Sequence, residues 1–152
     1  MFKLLMAAAL VLLLGLPCGA AMKNEPKEFR GVAFGQEVSP GPDFACETDS
    51  EEGRVCTRAN DALRHLDVPL RSLGYLFMYN RLYTVDMEVD GKQAYDALLA
   101  ALTRQHGQPA AGPGGALTFT GAAVDIMAFY DARRTIGEVS YVFKNLPCPV
   151  GE

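Results

Sequence analysis

The sequence predicts an α+β fold, in which one main helix packs on one face of an antiparallel sheet of about five to six strands. The first observation is a strand from Tyr83 to Val89 in which apolar residues occupy alternate positions. The second is a helix over about 91–106 that begins directly afterwards and places its leucines on one face. The third is a series of strand-like segments after residue 116. Short turns connect them, and strands joined in that way must be antiparallel.

The first residues have the three parts of a secretory signal peptide. Lys3 supplies the positive start, residues 4–16 form an apolar run, and small residues follow. We therefore expect cleavage after Ala20 or Ala21 and a periplasmic or secreted protein. The apolar run is too short to span a bilayer comfortably, so we expect no transmembrane span once the leader is removed.

Two alternatives to a cleaved leader are a retained membrane anchor and a lipoprotein attached to lipid at Cys18. Both are less favoured than cleavage, and the lipoprotein signal fits poorly because Pro17 stands where such a signal needs a small residue. The length of 152 residues allows one domain. The expected division is a signal peptide at 1–21, a flexible entry at 22–28, a single α+β domain at 29–147 and a C-terminal tail at 148–152.

The domain is predicted to start with a short strand at 29–35, which a turn cluster at 39–42 ends. Cys46 and Cys56 follow, and we predict a disulfide between them because an exported protein matures in an oxidising compartment. The alternative is that Cys148 pairs with one of the two. A redox-catalytic role is not favoured, because no Cys-x-x-Cys pair is present.

The segment between the two cysteines is acidic. It contains Glu47, Asp49, Glu51 and Glu52. A calcium-binding EF-hand loop needs glycine at its sixth position and an acidic residue at its twelfth. Counted from Glu47, those positions hold Glu52 and Arg58, so we interpret the segment as a solvated hairpin tip.

The middle of the chain is predicted as a short helix followed by a hairpin. Leu63 and Leu66 are spaced for one helical face after Asn60, which is a suitable cap. Residues 75–79 are apolar throughout, which favours a strand covered on both faces. Residues 80–81 are the expected turn into the alternating strand.

The main helix has start and stop signals of its own. Asp90 is the expected cap, and Gln93 has the spacing to complete a capping box. Gly107 suits a left-handed exit, and Pro109 prevents the helix from continuing. A flexible loop at 109–115 then leads to the last strands, which are predicted at 117–120, 124–130 and 135–144.

Aromatic residues on the predicted strands suggest where a ligand would bind. They are Tyr75, Phe77, Tyr79, Phe129 and Tyr141. One interpretation is that they fill the core. The other is that a sheet face left uncovered by the single helix carries an apolar groove or a partner surface.

No catalytic, metal-binding or cofactor-binding residue is assigned, and no cofactor is expected. His65 and His106 have no ligand-like spacing, and His106 suits the negative end of the helix dipole. Asp86, Glu88 and Asp90 alternate on the polar face of a strand, which is typical of a solvated face. The net charge of −4 opposes nucleic acid as a partner.

Three local features together resemble small exported bacterial proteins of unknown function. They are the segment 29–35, the pair of segments 74–77 and 81–83, and Gly107-Gln108-Pro109 after the helix. The helix that ends in Gly-x-Pro before a strand meander is also similar to outer-membrane assembly lipoproteins of the BamE/SmpA type. The chain departs from that type by a predicted hairpin where two leading helices are expected. The resemblance implies an envelope compartment and a fold, and no site residues.

These observations favour an exported, non-catalytic binding or envelope-interaction module. Its partner would be a protein or a small apolar ligand of the cell envelope. One alternative is a small periplasmic hydrolase that uses scattered acids and His106. Another is a carrier of a small ligand or lipid that uses an apolar sheet face.

Overall fold

The computed structural model describes residues 21–37, 40–48 and 53–145. The predictions for the leader up to residue 20, for Asp49, Glu51 and Glu52, and for Cys148 and the tail concern residues outside these ranges. The helix is α1 (Gly91–His106), and a short 3-10 turn spans Pro113–Gly115. The described strands are β1 (Glu28–Phe29), β2 (Val32–Ala33), β3 (Phe44–Thr48), β4 (Gly53–Arg58), β5 (Arg64–His65), β6 (Val68–Pro69), β7 (Ser72–Met78), β8 (Arg81–Asp90), β9 (Ala110–Ala111), β10 (Leu117–Phe119), β11 (Val124–Asp131) and β12 (Ile136–Phe143).

The α+β class is confirmed, but over the described residues the main sheet has eight strands and not five to six. Its order is β3-β4-β7-β8-β12-β11-β10-β9, and every neighbouring pair is antiparallel. The count rises because the cysteine hairpin β3–β4 joins the same sheet as the central hairpin, and because β9 adds a two-residue edge. Two further hairpins, β1–β2 and β5–β6, stand apart from the main sheet.

The predicted helix is confirmed at the bounds expected, but its cap is not made as predicted. Asp90 occupies the N-cap position with extended backbone, and its side chain makes no capping hydrogen bond. Its carboxylate instead accepts from the Arg71 guanidinium at 3.0 Å. Gly107 ends the helix at a φ of 93°, and its N–H donates to the carbonyl of Thr103.

The predicted short helix at 60–66 is wrong. This segment turns sharply and forms the small hairpin β5–β6. Asn60, Leu66 and Asp67 all have positive φ, a conformation that a right-handed helix does not contain. The three-residue spacing of Leu63 and Leu66 was therefore misleading, because so short a segment carries too little periodicity to define a helix.

The central hairpin β7–β8 is present, with its turn one residue earlier than expected. Tyr79 and Asn80 both have positive φ, and Met78 pairs with Arg81 across them. Positive φ at both central residues is the type I′ geometry, whose twist matches that of the flanking strands. Tyr79 is therefore a turn residue and not a strand residue.

One face of the sheet is covered by α1 and the two small hairpins. Leu98 and Leu102 of the helix are fully buried. Tyr95 of the helix packs directly against Gly137 of β12, in the space that a side chain at position 137 would occupy. A methyl group on Gly137 would lie 2.6 Å from the Tyr95 ring, so this close approach requires glycine. The sheet residues beneath include Tyr75, Val85, Met87, Ile126, Val139 and Tyr141.

Residues 22–25 belong to the segment predicted as a flexible entry, and in the structure they hydrogen-bond to the end of α1 and to the β10–β11 turn. The N–H of Met22 donates to Thr120, and the N–H of Lys23 donates to the carbonyl of His106. The Glu25 carboxylate accepts three backbone N–H groups of residues 122–124, at the turn that leads into β11. The domain boundaries drawn from the sequence stay predictions.

Candidate binding surface on the open face of the sheet

The sheet has a second face on which neither α1 nor the two small hairpins pack. We call it the open face, and its side chains are Val55, Leu76, Asp86, Glu88, Met127, Phe129, Glu138 and Ser140. The strand register places them together, since Asp86 pairs with Ser140, which pairs with Met127, and Glu88 pairs with Glu138, which pairs with Phe129. Alternation along each strand turns these residues away from the helix.

Three large apolar side chains on the open face are exposed. Val55 and Met127 are each 44% exposed, and Phe129 is 38% exposed. On β11, Met127 and Phe129 contrast with Ile126 and Ala128, which point to the core and are at most 1% exposed. Strand β11 therefore places one set of apolar side chains in the core and leaves the other set in contact with solvent.

Charged side chains also lie on the open face, between its apolar side chains. Glu88 lies between two arginines, 3.6 Å from Arg71 and 3.3 Å from Arg134, and Arg134 also holds Glu138 at 2.7 Å. Asp86 differs, because within the described part of the chain it accepts a hydrogen bond from Ser140 and forms no ion pair. The surface thus combines apolar contact area with a carboxylate that has no cationic partner there.

The predicted disulfide is confirmed, and it lies at the edge of the sheet beside this face. Cys46 of β3 and Cys56 of β4 are directly opposite in the strand register, with an S–S distance of 2.01 Å. Cys56 is buried, and its register partner on the neighbouring strand β7 is Tyr75. The bond fixes the edge hairpin that carries Val55.

The five aromatic residues of the predicted binding surface do not come together. Tyr75, Phe77 and Tyr141 lie in the core beneath the helix and hairpins, at 1%, 1% and 3% exposure. Tyr79 lies in the β7–β8 turn, and Phe129 alone of the five points outward on the open face. The missing information was strand register, since an apolar run does not reveal which of its residues face the core.

A polar cluster fills the end of the covered face that the helix does not reach. The Arg30 guanidinium pairs with Asp61 and donates to the carbonyls of Ala62 and Arg64, and the Tyr75 hydroxyl donates to Asp61. Burial, followed by this bond to Asp61, raises the pKa of Tyr75. All of the bonds are internal, so the cluster is suited to holding the β5–β6 hairpin onto the sheet.

His65 belongs to the same region. Its Nε2 lies 2.9 Å from the Tyr141 hydroxyl, and its ring contacts Phe29. Burial, reinforced by the nearby Arg30 charge, lowers the pKa of His65 to about 4. The imidazole is therefore neutral near pH 7 and acts as a partly buried hydrogen-bonding residue.

His106 lies in the last turn of α1, as predicted, but it is buried and not displayed to solvent. Its Nδ1 is 3.0 Å from the Lys23 carbonyl, and the ring packs against Phe119. Its Nε2 has no hydrogen-bond partner among the residues that the structure describes. Over the described ranges, no group of three or more His, Cys, Asp or Glu residues is placed to hold a metal ion.

Glu25 is the polar residue that sequence reasoning missed. Its carboxylate accepts the N–H groups of Ala122, Ala123 and Val124 at 2.6–2.7 Å. Burial acts to raise the pKa of Glu25, but these three donors and Lys144 outweigh it, and the pKa is lowered. No local pattern foretells a contact between residues 97–99 positions apart.

Within the described residues, no helix is both long enough and apolar enough to cross a membrane. Comparison of the chain with profiles of known protein families, with curated proteins and with solved structures found no match.

Proposed function

We propose that the protein is an exported, non-catalytic binding or envelope-interaction module that contacts its partner through the open face of the sheet. The observation that carries the proposal is the outward pair Met127 and Phe129 on β11. These side chains remain exposed although Ile126 and Ala128 on the same strand pack into the core. An apolar area rimmed by charged residues is typical of a surface that associates with another molecule.

Export is part of the proposal and is supported by two features. The sequence begins with a segment that resembles a signal peptide. The Cys46–Cys56 disulfide is a bond that persists in oxidising compartments. The mass and the N-terminal sequence of the protein recovered from outside the cytoplasm test this point. A mature chain that begins at Ala21 or Met22 is expected, and a lipid-modified Cys18 would contradict it.

Position-specific photo-crosslinking tests the binding surface. A benzophenone amino acid is placed at Met127 or Phe129 and the protein is irradiated in its native envelope. The matched control is the same group at Leu63, which is also apolar and exposed but lies outside the open face. We expect one discrete adduct from both open-face positions and none from the control. Equal labelling from all three positions, or none from 127 and 129, would refute the proposal.

A small-ligand carrier is the second candidate function. A partly open pocket of about 390 Å³ lies beside the N-terminal segment, between Pro26, Phe34, Val124 and Phe143. Its walls are mainly apolar, as ligand pockets are. Native mass spectrometry of the purified protein distinguishes the two functions, because a carrier should retain a small molecule and a protein-binding module should not.

A further inference from the structure

The pairing between β4 and β7 stops partway along both strands. Its last pair joins Cys56 to Tyr75. Beyond that point, β4 continues only beside β3 and β7 continues only beside β8. The two strands therefore separate, and a notch of about 340 Å³ opens at the border of the open face.

The lining of the notch is mainly apolar. Val55 and Leu76, which are register partners, line it together with Gly74, which precedes Leu76 by two residues and so shares its face of β7. A methyl group built on Gly74 would have no atom within 4 Å, so the space above this glycine is empty in the described chain. A hydrocarbon chain laid across Gly74 would contact Val55 and Leu76.

The side of the notch that is formed by β8 is negatively charged. Asp86 is the register partner of Gly74, and Glu88 is the register partner of Ser72. Glu88 is already neutralised by Arg71 and Arg134. Asp86 is exposed and has only the Ser140 hydroxyl as a partner among the described residues. A cation that reached this side would therefore complete an ion pair that the described chain leaves unmade.

We propose that the notch receives a lysine or arginine side chain from an extended segment of a partner protein. The hydrocarbon stem would lie over Gly74 against Val55 and Leu76, and the cationic head group would meet Asp86. Lysine and arginine combine an apolar stem with a charged tip, which matches the order of surfaces in the notch. The inference rests on the proposed function and names the chemistry of the partner.

Amide NMR titration tests the proposal with two short serine–leucine peptides, one carrying lysine and the other carrying glutamate at the same positions. The lysine peptide should shift the amides of Gly74, Leu76 and Asp86 saturably, and the glutamate peptide should not. Asp86→Asn should weaken lysine-peptide binding roughly fivefold, as for a partly exposed ion pair. Gly74→Val should abolish it by filling the notch, and Gly74→Ala provides a milder version if the valine variant does not fold.

Asp96→Asn is the matched control, because it removes the same charge from the outer surface of α1 and should leave affinity unchanged. Equal binding by the wild type and Asp86→Asn, or shifts confined to other surfaces, would overturn the inference. A free alkylamine that binds as tightly as the lysine peptide would also overturn it, since the notch would then be a small-molecule site. Crosslinking from Met127 and Phe129 without peptide binding would reject this inference and leave the proposed function standing.

Discussion

At the residue scale, the Glu25 carboxylate connects the first described residues to the β10–β11 turn. Glu25 accepts three backbone N–H groups from the turn that leads into β11. Gly121 makes room for it, because a methyl group there would lie 2.6 Å from the Glu25 carboxyl carbon. Without Glu25 these donors would lose a charged acceptor, so we expect the contact to contribute to stability.

Glu25→Gln should lower the free energy of unfolding by about 1.5–3 kcal/mol at pH 7, the range for hydrogen bonds to a charged group. Glu28→Gln, which removes the same charge from an exposed position, is the control and should have little effect. Because the pKa of Glu25 is lowered in the folded protein, its contribution is present above its ordinary pKa of 4.5 and is lost as the pH falls further. Urea unfolding at several pH values measures both effects. A difference that grows in acid would contradict the account.

His65 gives a pH dependence over a different range. Its pKa is about 4 in the folded protein against an ordinary 6.5, so the unfolded chain binds the proton more readily. The stabilising effect of a neutral His65 is therefore complete above pH 6.5 and is progressively lost between pH 6.5 and about 4. We expect the stability of the wild type to fall across this window more steeply than that of His65→Gln. Parallel curves in urea unfolding would show that His65 titrates normally.

At the scale of single elements, α1 stabilises the fold through a narrow apolar stripe. Leu98 and Leu102 are fully buried against the sheet, whereas Gln93 on the same helix is exposed. Leu98→Ala should lower the free energy of unfolding by about 2–5 kcal/mol, because it removes transfer energy and leaves a cavity. Gln93→Ala should change it by no more than about 0.5 kcal/mol. Similar losses for the two variants in chemical denaturation would mean that the helix does not pack as described.

The cysteine hairpin is the second element with a clear energetic role. Replacing both Cys46 and Cys56 by alanine should cost about 2–3 kcal/mol, since closure of a ten-residue separation restricts the unfolded chain. Reduction of the wild type should produce a similar loss in thermal or urea unfolding. Thiol titration of the oxidised protein gives an independent test, and a free thiol at Cys46 or Cys56 would contradict the observed pairing.

At the scale of the whole molecule, the sequence predicted what depends on local patterns and failed where distant segments meet. The bounds of α1 were predictable because Gly107, Pro109 and the leucine spacing all act locally. The number of strands was not, because the joining of the cysteine hairpin to the central hairpin is a long-range pairing. Most residues of the predicted aromatic surface lie in the core for the same reason, since the sheet face to which a side chain points depends on strand register. The role of Glu25 could not be predicted, because no local motif marks its contact with the distant turn.

A binding role for the open face requires that Met127 and Phe129 serve binding and not folding. The double variant Met127→Ser/Phe129→Ser separates these roles, because each side chain is partly exposed and lies outside the buried core. The decisive measurement is its free energy of unfolding, taken alongside the yield of the crosslinked adduct from a benzophenone placed at Val55, on the same face. We predict stability within about 1 kcal/mol of the wild type, as for surface substitutions, and loss of the adduct. A loss of several kcal/mol with an undiminished adduct would contradict the claim that this face is a binding surface.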